Sequence, residues 1–140
     1  MVRDEAKDKN LETAEVIYFD TQIVAALYEG KSDILSRQAK KIVDRDSDLR
    51  MGPMVLLELE LLYEIRRIRD RAEVVAETLA VDLGIRVCET SFADVARQSL
   101  NETWTRDPFD RLIVAQARLW NTRLITRDVV IQKHYSLALD

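Results

Sequence analysis

Short apolar runs alternate with amphipathic stretches along most of the chain. Val16-Ile17-Tyr18-Phe19 reads as a buried strand that stops at Asp20-Thr21. Residues 22–28 read as a short helix closed by Gly30, and 33–46 as an amphipathic helix with Ile34, Leu35, Ala39, Ile42 and Val43 inward. A strand near Leu49–Met51 ends at Gly52-Pro53. The pattern then predicts helices over 54–68 and 71–82, the second closed by Gly84, a strand over Ile85–Cys88 and a helix over 91–101. After a loop over Thr103–Asp107, Pro108 opens a helix to about Trp120, proline being suited to the first helical position. Arg123–Thr126 and Tyr135–Leu139 complete the strands, the last at an edge. Short apolar strands separated by helices imply an α/β fold with a short, mostly parallel sheet covered on both faces. In such sheets ligands bind beyond the carboxyl ends of the strands, where Asp20 and Asp128 would lie.

Composition narrows the class. The chain has 140 residues, 47% of them apolar and 33% charged, which suits one soluble domain with a substantial core. Residues 1–14 are polar and charged and are expected to be a flexible leader before a domain over 15–140. The leader has no apolar segment of the signal-peptide kind, and no apolar run approaches the ~20 residues that span a bilayer. A cytoplasmic protein without membrane contact is expected. The one cysteine, Cys88, sits in an apolar run and reads as a buried core thiol. The net charge of −4 argues against a general nucleic-acid coat protein but not against a nuclease, because a carboxylate cluster awaiting cations lowers the formal charge.

The informative acids are those in costly places. On a helical wheel of 54–68, Glu60, Glu64 and Arg67 share the solvent side. Glu58 falls among Val55, Leu61, Leu62 and Ile65, where a charge needs a partner or a metal. A buried salt bridge and a functional role both explain it. Asp110 shares a face with Ile113, Val114 and Ala117, although an acid in a first helical turn also answers the dipole. Asp20 and Asp128 follow strands and precede helical stretches, so each is also a candidate N-cap; Asp107, just before Pro108, reads mainly as one. Taken together, carboxylates at strand ends and on apolar helix faces converge, and their mutual repulsion calls for divalent cations. An all-oxygen set selects Mg²⁺ or Mn²⁺ over zinc. His134, the only histidine, has no partner for a zinc site and reads as a surface or packing residue.

These residues also carry a resemblance. Tyr18-Phe19-Asp20-Thr21 resembles the opening strand of PIN domains, and Leu56-Leu57-Glu58-Leu59 their helical acidic motif. The run from Arg106 through Asp107-Pro108-Phe109-Asp110-Arg111 to Ala117 is similar to the Asp-Pro-Phe-Asp-Arg segment of one branch of VapC-type toxins. Leu124-Ile125-Thr126-Arg127-Asp128 resembles their last strand and acid. The order and spacing hold over about 16–139. The resemblance implies a PIN-like three-layer α/β/α sandwich and a Mg²⁺- or Mn²⁺-dependent ribonuclease, the toxin of a toxin–antitoxin pair. It implies Asp20, Glu58, Asp110 and Asp128 as catalytic and metal-binding acids. Thr21, Asp107, Arg111 and Thr126 are implied as auxiliary groups, and RNA, a cognate antitoxin and a second copy of the chain as partners. Gly52 stands where relatives often carry serine, and Thr105 where many carry histidine.

Basic residues suited to RNA are Arg66, Arg67, Arg69 and Arg71, together with Arg106, Arg111, Arg123 and Arg127; each alone reads equally as solvated surface charge. A housekeeping PIN nuclease and a catalytically silent RNA-binding or regulatory PIN-fold protein are the rival readings. An aspartyl-nucleophile phosphohydrolase would place aspartate where Gln22 stands. The only Asp-x-Asp of the toprim kind, Asp46-Ser47-Asp48, falls in a polar turn.

Overall fold

The computed structural model describes residues 14–45 and 47–140, so the leader expected over 1–14 lies outside the described residues save its last one. Five strands make one sheet: β1 Val16–Phe19, β2 Asp48–Met51, β3 Arg86–Val87, β4 Arg123–Ile125 and β5 Ala138–Leu139. Their order is β3-β2-β1-β4-β5, and every pair is parallel. Parallel neighbours require crossovers. Among the described residues seven helices supply them: α1 Thr21–Tyr28, α2 Arg37–Asp44, α3 Pro53–Glu64, α4 Ala72–Leu83, α5 Phe92–Ser99, α6 Pro108–Trp120 and α7 Val129–His134. The result is the expected α/β/α sandwich. β1 lies at the sheet centre, and its Ile17, Tyr18 and Phe19 are at most 1% exposed although they point to alternate faces. The β1–β4 register pairs Phe19 with Ile125, so both strands end level and deliver Asp20 and Thr126 side by side.

Local chemistry sets most boundaries. Pro53 and Pro108 open α3 and α6, and Gly84, in the left-handed region at φ 70°, closes α4. Three expectations need correction. The single helix over 33–46 is a 3₁₀ turn over Ser32–Ile34 followed by α2. Ser36 Oγ accepts from the Ala39 N–H at 3.1 Å and starts a new helix there. α3 ends at Glu64, not at 68, because the chain reverses through Arg66 at φ 63°. Its buried face is also rotated from the wheel reading. Val55 and Leu59 are buried, whereas Leu61 and Ile65 are exposed. Glu58 therefore sits at the border of the core, half-buried.

Buried polar groups brace the sheet. Asp48 on β2, 9% exposed, accepts from Arg50 Nη2 at 2.7 Å and from Arg86 Nη2 at 3.0 Å, joining β2 to β3. Glu102, 2% exposed, takes Arg118 Nε at 2.7 Å. Cys88 is buried as expected, with the Tyr18 hydroxyl and Thr90 Oγ1 each 2.9 Å from its sulfur. His134 stacks on Trp104 with ring centroids 5.1 Å apart.

Candidate active site

Asp20 follows β1, is 6% exposed and is held on three sides. Its backbone N–H donates to the Ile125 carbonyl at 2.9 Å. Its Oδ1 accepts from the Thr21 N–H and its Oδ2 from Thr126 Oγ1, both at 2.7 Å. Thr126 is fully buried, and its hydroxyl also accepts the Asp128 N–H at 3.0 Å. One hydroxyl thus fixes both strand-end acids. Thr21, 1% exposed, donates its hydroxyl to Glu58 Oε1 and links α1 to α3.

The capping question divides the acids. Asp107 Oδ1 accepts from the Phe109 and Asp110 N–H groups, and Asp128 Oδ1 from those of Val130 and Ile131, so both cap helices. Asp20 bonds only the N–H of its neighbour Thr21, one position short of a cap at the second or third helical residue. Asp110 makes no hydrogen bond through its carboxylate among the described residues, and none of the five acids forms a salt bridge there.

Electrostatics show that the five share one neighbourhood. Burial raises the Asp20 carboxyl above the ordinary carboxylate range; the Thr126 and Thr21 hydrogen bonds oppose this, and the charges of Asp128 and Asp107 add to it. Burial likewise raises Glu58, with Thr21 opposing and Asp20 and Asp107 adding. Asp110 is pushed up to about 7, first by burial and then by repulsion from Asp107, Asp20, Asp128 and Glu58. Among the described residues no arginine or lysine forms a salt bridge with any of the three or stands among the leading influences on them.

Among the described residues no three His, Cys, Asp or Glu side chains close into a cage ready for a metal ion. The donor chemistry nevertheless fits a hard divalent cation. Among the described residues both Asp110 oxygens, Glu58 Oε2 and Asp128 Oδ2 carry no hydrogen bond, all potential donors are oxygen, and no salt bridge offsets the charge.

The PIN domain family matches residues 17–136, nearly the whole chain. The chain belongs to the PIN domain family. PIN domains are generally nucleases and typically use divalent metal ions. Three solved structures resemble this PIN domain, each covering 89% of it. VapBC2 from Rickettsia felis, bound to a DNA fragment from its promoter, is 13% identical, with 97% of that chain covered and a TM-score of 0.63. A toxin–antitoxin complex from Klebsiella pneumoniae is 19% identical, with 96% covered and a TM-score of 0.60. VapBC-1 from nontypeable Haemophilus influenzae is 17% identical, with 97% covered and a TM-score of 0.63. At these identities the likeness is one of fold. No curated protein matches.

The other sequence candidates of this PIN domain have varied surroundings. Arg111 does not pair with an acid; its Nε donates to the Thr105 carbonyl at 2.8 Å and closes the loop before α6. Arg123 pairs with Glu15, and Arg71 with Glu60. Arg106 and Arg127, next to two of the acids, form no salt bridge among the described residues. The sequence reading passed over Gln116. It is 2% exposed, its Nε2 donates to the Tyr18 hydroxyl at 3.3 Å, and it lies against Gly52, the residue that opens α3. A glutamine among Val114, Ala115 and Ala117 on an apolar face was the available signal.

Proposed function

We propose that this PIN domain is a Mg²⁺- or Mn²⁺-dependent ribonuclease, the toxin of a toxin–antitoxin pair. The observation that carries the reading is five carboxylates in one neighbourhood, none of them in a salt bridge among the described residues. Asp20, Glu58, Asp110 and Asp128 would hold the metal. When bound, it supplies a water of lowered pKa and positive charge against the phosphodiester. The protein's own part is positioning. Thr126 fixes the Asp20 carboxylate, Thr21 orients Glu58, and Asp107 secures the first turn of α6, which carries Asp110. Asp110, unbonded and raised to about 7, is the group most readily freed of its proton by an arriving cation.

The toxin assignment rests on the Asp107–Arg111 motif and on the fold shared with the VapBC complexes. It carries an antitoxin partner and a homodimer as further expectations. The exposed apolar stripe Leu57, Leu61 and Ile65 on α3 is surface that such association would cover. No helix among the described residues is long and apolar enough to cross a membrane, and we place the protein in the cytoplasm.

The deciding experiment incubates purified protein with single-stranded RNA, with Mg²⁺ and with EDTA, beside Asp20→Asn and Asp110→Asn. Cleavage that needs both metal and acids is expected. Full cleavage in EDTA or by either variant overturns the metal mechanism, and absence of cleavage by the wild type favours a silent PIN fold.

A further inference from the structure

A polyanion at an acidic cluster must be held against repulsion, so the free cations matter. Several arginines are already committed. Arg50 and Arg86 serve Asp48, Arg71 serves Glu60, Arg97 serves Asp94, Arg118 serves Glu102 and Arg123 serves Glu15. Arg66, Arg67 and Arg69 stand together on the turn after α3. All three are exposed and form no salt bridge among the described residues.

The turn is built, not loose. The Arg66 N–H donates to the Tyr63 carbonyl and the Arg67 N–H to the Leu62 carbonyl, the paired bonds that close a helix through a left-handed residue. That residue is normally glycine; here it is Arg66 at φ 63°, a conformation that costs an L-residue about 1 kcal/mol or more. Ile68, 6% exposed, pins the turn into the core. The Asp70 carboxylate accepts from the Tyr28 hydroxyl. Glu60 takes Arg71 Nη2 at 2.7 Å and the Ala72 N–H at 3.1 Å. The three guanidinium groups therefore project from a fixed backbone.

Two concavities flank them. One of about 580 Å³ lies between Tyr28, Asp70 and Arg67–Arg69, and one of about 550 Å³ between Tyr63, Glu64 and Arg66–Arg69. Three acids face them: Glu29, paired with Lys31, Asp70, which keeps its charge while accepting from the Tyr28 hydroxyl, and Glu64. Tyr63 offers a ring beside the arginines, with the Arg71 guanidinium 6.0 Å from its centroid. The turn follows α3 about 9 Å of helix axis beyond Glu58, at the ends of α1 and α3 away from Thr21 and Gly52.

We propose that the Arg66-Arg67-Ile68-Arg69 turn is a phosphate-backbone clamp for single-stranded RNA whose strand continues to the acidic cluster. The inference rests on the ribonuclease reading. Guanidinium forks match phosphate oxygens, and a tyrosine among them suits unpaired bases. The turn itself offers a protein partner no apolar anchor, since Ile68 faces inward; the exposed Leu57, Leu61 and Ile65 lie on α3 and its C-cap, the face left for protein association.

The test is equilibrium binding of a labelled single-stranded RNA, in EDTA to prevent cleavage, over a salt series. The wild type is compared with the Arg66→Gln/Arg67→Gln/Arg69→Gln triple variant and with lysine at the same three positions. The glutamine variant is expected to bind more weakly, with a log K against log salt slope shallower by about 2, from ~0.7 per lost phosphate contact. Lysine is expected to restore the slope, and all three proteins to melt cooperatively. A glutamine variant with unchanged affinity and slope overturns the clamp while leaving metal-dependent cleavage intact. A glutamine variant that keeps RNA but loses a poly-glutamate peptide assigns the turn to an acidic protein instead and also overturns it. A wild type that neither binds nor cleaves RNA removes the ribonuclease reading and the clamp with it.

Discussion

Asp110→Asn should remove activity and raise the stability of the metal-free protein. The substitution keeps shape and deletes one charge from a cluster that no salt bridge offsets among the described residues. In the unfolded chain the carboxyl loses its proton near 3.8; in the folded protein it keeps it to about 7. Unfolding in that window releases a proton, so this group makes wild-type stability fall as pH rises from about 4 to 7. The full displacement corresponds to about 4 kcal/mol. Asp110 is half-buried and solvent screens its neighbours, so we take half, ~2 kcal/mol. For a domain of this size that is about 7 °C in Tm. Thermal melts in EDTA should show the variant ahead by this amount at pH 8 and by about a third of it at pH 5. Mg²⁺ at tenfold its Kd should return about 1.4 kcal/mol to the wild type and little to the variant. A variant that melts at or below the wild type at pH 8 refutes the uncompensated cluster.

Thr126→Val deletes the donor to Asp20 and the acceptor for the Asp128 N–H in a fully buried place. It should cost about 1–3 kcal/mol in a denaturant melt and weaken Mg²⁺ binding in a titration; unchanged Mg²⁺ affinity would detach Thr126 from the site. Asp48→Asn leaves the mostly buried Arg50 guanidinium without its carboxylate and should cost about 3 kcal/mol at pH 7. Burial raises Asp48, but the Arg50 and Arg86 hydrogen bonds outweigh it and hold the carboxyl below its ordinary value. Its contribution is therefore present above about pH 4 and lost as pH falls through the lowered value, so wild type and variant melts should converge in acid. Gly52→Ser should add about 0.3 kcal/mol by capping α3, because Gly52 has φ −71°, ordinary for any residue, and a new Cβ would meet Gln116 Cγ at 3.5 Å. A lower melting temperature for this variant would mean that Gln116 cannot make room.

The sheet and α6 were legible because their signals are local. A four-residue apolar run bounded by Asp20 and a proline at the first helical position each point to one structure. The end of α3 was not, since arginine has no left-handed preference and only tertiary packing of Ile68 forces Arg66 into that region. The wheel misjudged the buried face of α3 for a related reason. Leu57, Leu61 and Ile65 are as apolar as Val55 and Leu59, and nothing in periodicity separates a core face from an exposed apolar stripe. Pattern brought out Asp20, Glu58, Asp110 and Asp128 as acids in costly places. It could not tell cap from free carboxylate, because that depends on which N–H each oxygen meets, as Asp20 and Asp128 illustrate.

β4 lies between β1 and β5, although it is fourth in the chain. Asp20 precedes Thr126 by 106 residues, yet its N–H and one carboxylate oxygen wait for Ile125 and Thr126. A nascent chain that already carries β1, β2, β3 and three of the four acids still has an open edge where β4 belongs. The acid cluster therefore stays incomplete until β4 and the turn after it have folded against β1.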